Sequence, residues 1–284
     1  MSPQQEVVGV FDIGGIACGV ACPDESLSSL LSSRYAGFAS AAVPEVSMRV
    51  AVTGPPPDEV ADQWTGPYAR VGGQDGVLTI EGADFRGAFD ELSGEGWITQ
   101  ARDPAPLETF LTAICAGRLL RDDGFLLHAA AIASAEGAYV FFGPSGSGKT
   151  TVAELIGTGV ITDEIAVIRR DGDCYRVSAV PWRGQRLSAA LRGLFRLQQA
   201  PQTAFAPLSP VEAVRQLLPS VFFPRAGASE LSRFLEIAGD LVTRVPCHEM
   251  HFAPDGSFWG AILSTAFHPH PTLSHTQGVP GRGR

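Results

Sequence analysis

Through the first hundred residues the apolar positions come in short runs broken by turn residues. The runs are "VVGVFDIGGIACGV", "VSMRVAV", "YARVGG", "GVLTIEG" and "DFRGAFD". Such spacing predicts strands with one face turned to a core. One segment departs from the rhythm: Leu27, Leu30, Leu31 and Tyr35 recur at helical spacing behind Asp24, a residue type that caps helix N-termini. The "TGPPPDE" run at 53–59 predicts a rigid loop. From Asp103 the period changes. "DPAPLETFLTAICAGRLLRDDG" opens on Asp and Pro, places Leu107, Phe110, Leu111, Ile114 and Leu119 on one helical face, and closes before Gly124.

Two strands follow, "FLLHAAAIAS" and "AYVFFG", with Glu136-Gly137 as their turn. A glycine-rich loop leads into a helix ending near Gly157, then a single strand "GVITDEIAVIRR" and a "DGD" hairpin turn into "CYRVSAV". Later helices are predicted over 187–199, 210–218 and 229–237, and a last strand over "VTRVPCHEMHF". The tail from His268 has no apolar period and reads as disordered. The resulting division is a strand-rich α+β unit at 1–102, an α/β core at 103–267 and a tail at 268–284, with no internal repeat.

Charge and composition narrow the functional classes. A formal charge of -9 gives the chain no general attraction to nucleic acid or anionic lipid, so any phosphate site must be local. The apolar N-terminal stretch lacks a basic lead and contains Asp12, and "FLLHAAAIASAEGAYVFF" is broken by His128, Ser134, Glu136 and Gly137. Together these lead us to expect a cytoplasmic protein without a membrane span. Five scattered cysteines without a CxxC pair suit reduced, buried thiols, and Cys247, His248 and His251 do not follow a usual zinc spacing.

The chemistry concentrates at "FFGPSGSGKTTVAEL". All the basic residues but one are arginine; Lys149 is the sole lysine. Gly143, Ser145, Gly146, Ser147, Gly148, Lys149, Thr150 and Thr151 fall in or directly after the pattern G-x-x-x-x-G-K-[ST], between a predicted strand and a predicted helix. Glycines there let backbone N–H groups turn onto phosphate oxygens at a helix N-terminus. Lysine supplies a compact ammonium that a flat guanidinium cannot imitate, and Thr150 offers magnesium a hydroxyl. ATP with Mg2+ is therefore the expected ligand. Asp163 and Glu164 follow only 14 and 15 residues after Lys149. A strand laid next to the loop's own strand would carry them to the γ-phosphate, where one carboxylate accepts a hydroxyl proton and another orients the metal.

The loop, His128 lying 15 residues before Gly143, and the early acidic pair together resemble the HPr kinase/phosphorylase family over about residues 105–250. More distantly they resemble phosphoenolpyruvate carboxykinases. Pro144 and Glu164 stand where that family has aspartates, and "VPWRG" replaces its later glycine-rich signature, a form similar to the kinases associated with modification of ribosomally made peptides. The resemblance implies a P-loop kinase core of the HPr kinase type and transfer of a γ-phosphoryl group to a hydroxyl, serine foremost, of a protein or peptide. It also implies a homo-oligomer. Within it Asp163 is the candidate general base and Glu164 the metal ligand, the two being exchangeable. His128 would lie near the transferring group or else simply be satisfied within the sheet, and Arg183 is the candidate cation for the transition state. Arg192 and Arg196 on the 187–199 helix form a basic face suited to an acidic peptide, or a solvated one. A small-molecule kinase and a non-catalytic nucleotide-binding regulator remain as alternatives.

Overall fold

In the computed structural model, residues 7–53, 68–225 and 227–264 are described, so most of the 53–59 loop and the tail from 268 lie outside the described residues. The molecule is α/β, with two mixed sheets flanked by helices. The first sheet takes β1 (Val7–Ile13), β2 (Ile16–Ala21), β3 (Val46–Val52), β4 (Arg70–Gln74), β5 (Val77–Glu81), β6 (Arg86–Asp90) and β7 (Glu95–Gln100) in the order β1-β2-β3-β7-β6-β5-β4. The crossover between parallel β2 and β3 contains helix α1 (Glu25–Tyr35), capped by Asp24, whose Oδ1 accepts the Leu27 N–H at 2.9 Å. No helix among the described residues is long and apolar enough to cross a membrane.

Helix α2 (Ala105–Arg121) follows, its first N–H bonded to Asp103 Oδ1 at 2.9 Å. It is apolar around most of its circumference because it is covered on two sides. The strands of the first sheet lie on one side, and Leu126, Ile165, Val167 and Trp182 of the second layer pack into the same core.

The second sheet contains β8 (Gly124–Ser134), β9 (Gly137–Phe142), β10 (Val160–Thr162), β11 (Ile165–Asp171), β12 (Cys174–Ala179), β13 (Ala189–Gln199), β14 (Ala204–Pro207) and β15 (Cys247–Phe252). The two long strands are each shared between neighbours. Residues 124–128 of β8 pair with β11, and 129–134 with β9. The start of β13 pairs with β12, and its remainder lies parallel to β9 and β15. The circuit β8-β11-β12-β13-β9 therefore closes on itself around Leu127, Ala129, Val140, Val177 and Leu194. Helices α4 (Pro210–Leu217) and α5 (Ala228–Arg244) seal this core, while α3 (Lys149–Ile156) and α6 (Ser257–Ser264) cover a smaller one on the far side of β9 and β13.

Four expectations require correction. The predicted helix at 187–199 is strand β13. A central strand buried on both faces carries apolar residues at odd and even positions alike, and Leu191, Leu194 and Phe195 thereby imitate a helical stripe. No basic helix face exists there: Arg192 donates to the Glu136 carbonyl at 2.8 Å, and Arg196 is ion-paired with Glu249 at 2.9 Å. The run "GVITDEIAVIRR" is two strands rather than one, broken at Asp163-Glu164. The last strand starts later than predicted because the amphipathic face of α5 continues through Leu241 and Val242, and Pro246 follows the helix end. Helix α6 was not anticipated, although Asp255 accepts its first N–H at 3.0 Å, because its eight residues are too short to show a helical apolar period. By contrast, the "DGD" hairpin turn joins β11 to β12 as expected, with Gly172 at φ 60°.

Candidate functional site

The glycine-rich loop runs from the end of β9 into α3, and its backbone follows from its residue types. Gly143, Gly146 and Gly148 hold φ of 154°, 76° and 105°, where L side chains are strained. At Gly148 a Cβ would also stand 2.9 Å from the Phe252 ring. The left-handed Gly148 turns the chain directly into α3, whose N-terminus closes the loop. Lys149 is 7% exposed, and its Nζ donates to the loop's own carbonyls, Gly143 at 3.0 Å and Pro144 at 3.1 Å. Burial lowers its pKa from the ordinary lysine value. Ser147 Oγ is buried without a hydrogen-bond partner. A loop with freed backbone donors, an ammonium bound only to loop carbonyls and an orphaned hydroxyl has the chemistry to cradle polyphosphate.

Opposite the loop lies the break between β10 and β11. It forms because Thr162 at the end of β10 turns its hydroxyl back, accepting the N–H groups of Glu164 and Ile165 at 3.2 Å each and donating to the Arg183 carbonyl. The strand carrying Asp163 and Glu164 does not adjoin the loop's strand, as the sequence had suggested. Instead β8 lies between them, pairing with β9 on one side and with β10 and β11 on the other. Ile165 sits across from His128 in register, and the Glu164 carbonyl accepts the Ala129 N–H at 3.1 Å. This intermediate strand brings His128 between the loop and the acidic pair.

The result is a cavity of about 320 Å3 lined by His128, Ser145, Gly146, Gly148, Lys149, Thr150, Thr151, Asp163, Glu164 and Gln199. No protein-family model and no curated protein matches the chain. The site is therefore argued from its geometry. Gly143 and Ser147 do not line it, and Arg183 is joined to its wall through a 3.0 Å ion pair with Glu164. The candidate metal ligand and the candidate transition-state cation thus hold each other. Asp163 is exposed and has no ion-pair partner among the described residues, which leaves it the freer of the two carboxylates. The pKa of His128 is lowered by partial burial and by the Lys149 charge, with Glu164 opposing, so the neutral imidazole prevails near neutral pH. Its ring stacks on Phe222 at 6.2 Å between centroids.

Among the described residues no cluster of three or more His, Cys, Asp and Glu could hold a metal by itself. Thr150 and Glu164, which both line the cavity, are the residues that could share in holding a magnesium ion, an ion usually bound by one or two protein oxygens and not by an all-protein cage. Two neighbours had no sequence signal. Gln199 reaches the loop through a 2.7 Å bond from Nε2 to the Gly146 carbonyl, and Phe252 underlies Gly148. Both lie on β13 and β15, whose adjacency to the loop is a matter of topology.

Proposed function

We propose that this protein is an ATP- and magnesium-dependent kinase that transfers the γ-phosphoryl group to a hydroxyl, serine foremost, of a protein or peptide, using a core of the HPr kinase type. The observation that carries the reading is the meeting of Lys149 and the loop with His128, Asp163 and Glu164 around one cavity. The loop amides and Lys149 bind the β- and γ-phosphates and keep them in place. Thr150 and Glu164 would hold magnesium, which when bound would neutralise phosphate charge. Asp163 takes the proton of the acceptor hydroxyl as its oxygen approaches the phosphorus. Neutral His128 lies beside the transferring group without adding charge, and Arg183, on releasing Glu164, supplies a cation as negative charge spreads over the equatorial oxygens.

The test is calorimetric titration of magnesium-ATP into wild type and Lys149→Ala, followed by labelled γ-phosphate transfer to hydroxyl-bearing peptides. Lys149→Ala should lose binding, while Asp163→Asn should bind normally and lose at least a hundredfold in transfer. Full transfer by Asp163→Asn sinks the base assignment. The Glu164–Arg183 pair favours one rival, a nucleotide-binding regulator in which the ionic groups only hold structure. Binding without transfer or hydrolysis would establish that rival instead.

A further inference from the structure

A second cavity, of about 280 Å3, abuts the first and shares Glu164 with it. Its walls come from regions that nucleotide chemistry does not need. Val71 comes from β4 of the first sheet, Glu108 and Thr112 from α2, Trp182 from the segment after β12, and Phe222 and Phe223 from the segment after α4. Arg183 also lines it, so the Glu164–Arg183 pair stands at the junction of the two cavities. Phe222 continues from this wall to the stack on His128 in the first cavity. A group entering from the second cavity and a phosphate held by the loop would therefore meet at Glu164.

The lining chemistry selects the kind of group. Each charged side chain in the wall is already paired, Glu108 with Arg34 at 2.5 Å and Glu164 with Arg183 at 3.0 Å. The Thr109 and Thr112 hydroxyls donate to helix carbonyls at 2.8 and 2.7 Å, and the remaining lining is mostly aliphatic and aromatic. A free amino acid would need partners for its ammonium and carboxylate, and a sugar would need a ring of hydrogen bonds. Neither is offered. The volume lies just under the low end of small-molecule sites, room for one or two side chains.

Building on the kinase reading, we infer that this cavity is the acceptor subsite, and that it takes a short peptide segment whose hydroxyl residue is flanked by an uncharged apolar side chain. The flanking side chain occupies the pocket between α2, β4 and Phe223, and the hydroxyl points across Glu164 toward the loop. In the transfer the hydroxyl oxygen bonds to the γ-phosphorus, the bond from that phosphorus to the bridging oxygen breaks, ADP leaves with that electron pair, and the hydroxyl proton passes to Asp163. The first sheet, through Val71, thereby becomes a selector of substrate.

The experiment uses the full chain and blocked peptides of the form Gly-Gly-X-Ser-X-Gly-Gly, with X as Gly, Leu, Phe, Asp or Lys. Magnesium-ATP binding is measured before any peptide is added. Leu or Phe flanks should give kcat/KM at least tenfold above Gly, Asp or Lys. Val71→Trp and Thr112→Phe, on different elements and checked for folding by circular dichroism, should each raise the KM for the preferred peptide at least tenfold. Their ATP affinity and peptide-free hydrolysis should stay within twofold. If one variant fails to fold, the other and the flank series still decide. Equal use of all flanks, unchanged KM in a folded variant, or free serine serving as well as the best peptide would overturn the assignment. Binding of ATP with transfer to no peptide would overturn it too, while leaving a nucleotide-binding protein. Absence of ATP binding would instead bring down the kinase reading and this one together.

Discussion

Arg34 gives the most direct test of how the two layers are held beside the site. Its Nε and Nη2 bond Glu108 at 2.5 and 3.2 Å, and Nη2 also reaches the Trp182 carbonyl at 3.5 Å, one residue from Arg183. Glu108 is only 6% exposed, and burial raises its pKa even though Arg34 pulls the other way. In Arg34→Met the carboxylate keeps a single side-chain partner, the Tyr35 hydroxyl at 3.3 Å. Removing one member of a fully buried pair costs about 3–5 kcal/mol. Here the Arg34 side chain is 38% exposed and water shares in its solvation, which brings the expected loss to about 2 kcal/mol at pH 8. The pH dependence has a definite sign. With Arg34 gone the folded pKa of Glu108 rises further above the unfolded glutamate value of about 4.3, so the native state binds more protons than the unfolded state between the two. The penalty is complete above the folded pKa and shrinks as pH falls through it, because the acid can then stay neutral. Urea unfolding of variant and wild type at pH 8 and pH 5 measures the difference, with groups common to both cancelling. Arg34→Met/Glu108→Gln should be less unstable than Arg34→Met alone. A loss below about 0.5 kcal/mol, or one independent of pH, would refute the claim that Glu108 is a buried charge dependent on Arg34.

Gly148→Ala should cost about 1–3 kcal/mol in urea unfolding and displace the loop, since it combines φ of 105° with a Cβ 2.9 Å from Phe252. Ser147→Ala removes a buried hydroxyl without a partner, so thermal stability should hold or rise by about 1 kcal/mol while magnesium-ATP affinity falls. The imidazole of His128, followed by NMR titration, should have its midpoint below the ordinary histidine value, moving up in Lys149→Met and further down in Glu164→Gln. Because its folded pKa is depressed, His128 contributes stability that is complete above its unfolded pKa and lost as pH falls through the folded value. His128→Gln should flatten that acid-side loss.

Much of the fold was legible because local rules and tertiary context agreed. Asp24 and Asp103 mark helix starts, and Gly172 marks a hairpin. The loop from Gly143 to Thr150 could be read outright. Its glycines are required by backbone angles, and the strand before it and the helix after it are local as well. At β13 two-sided burial defeated the pattern: the strand packs apolar residues on both faces and so resembled a helix.

What the chain determined alone, then, was the glycine-rich loop between β9 and α3 and the kinds of residue available to act near it. The tertiary structure decided which of them meet. Whether Asp163 and Glu164 face the loop depends on β8 lying between β9 and β11, and on the Thr162 hydroxyl breaking the strand at that point. The Glu164–Arg183 pair, the reach of Gln199 to Gly146 and the second cavity, lined from Val71 to Phe223, join residues from 19 to 152 positions apart. Strand pairing and shared burial act between segments distant in sequence, and a local pattern of apolar and polar residues carries no record of which segments those are.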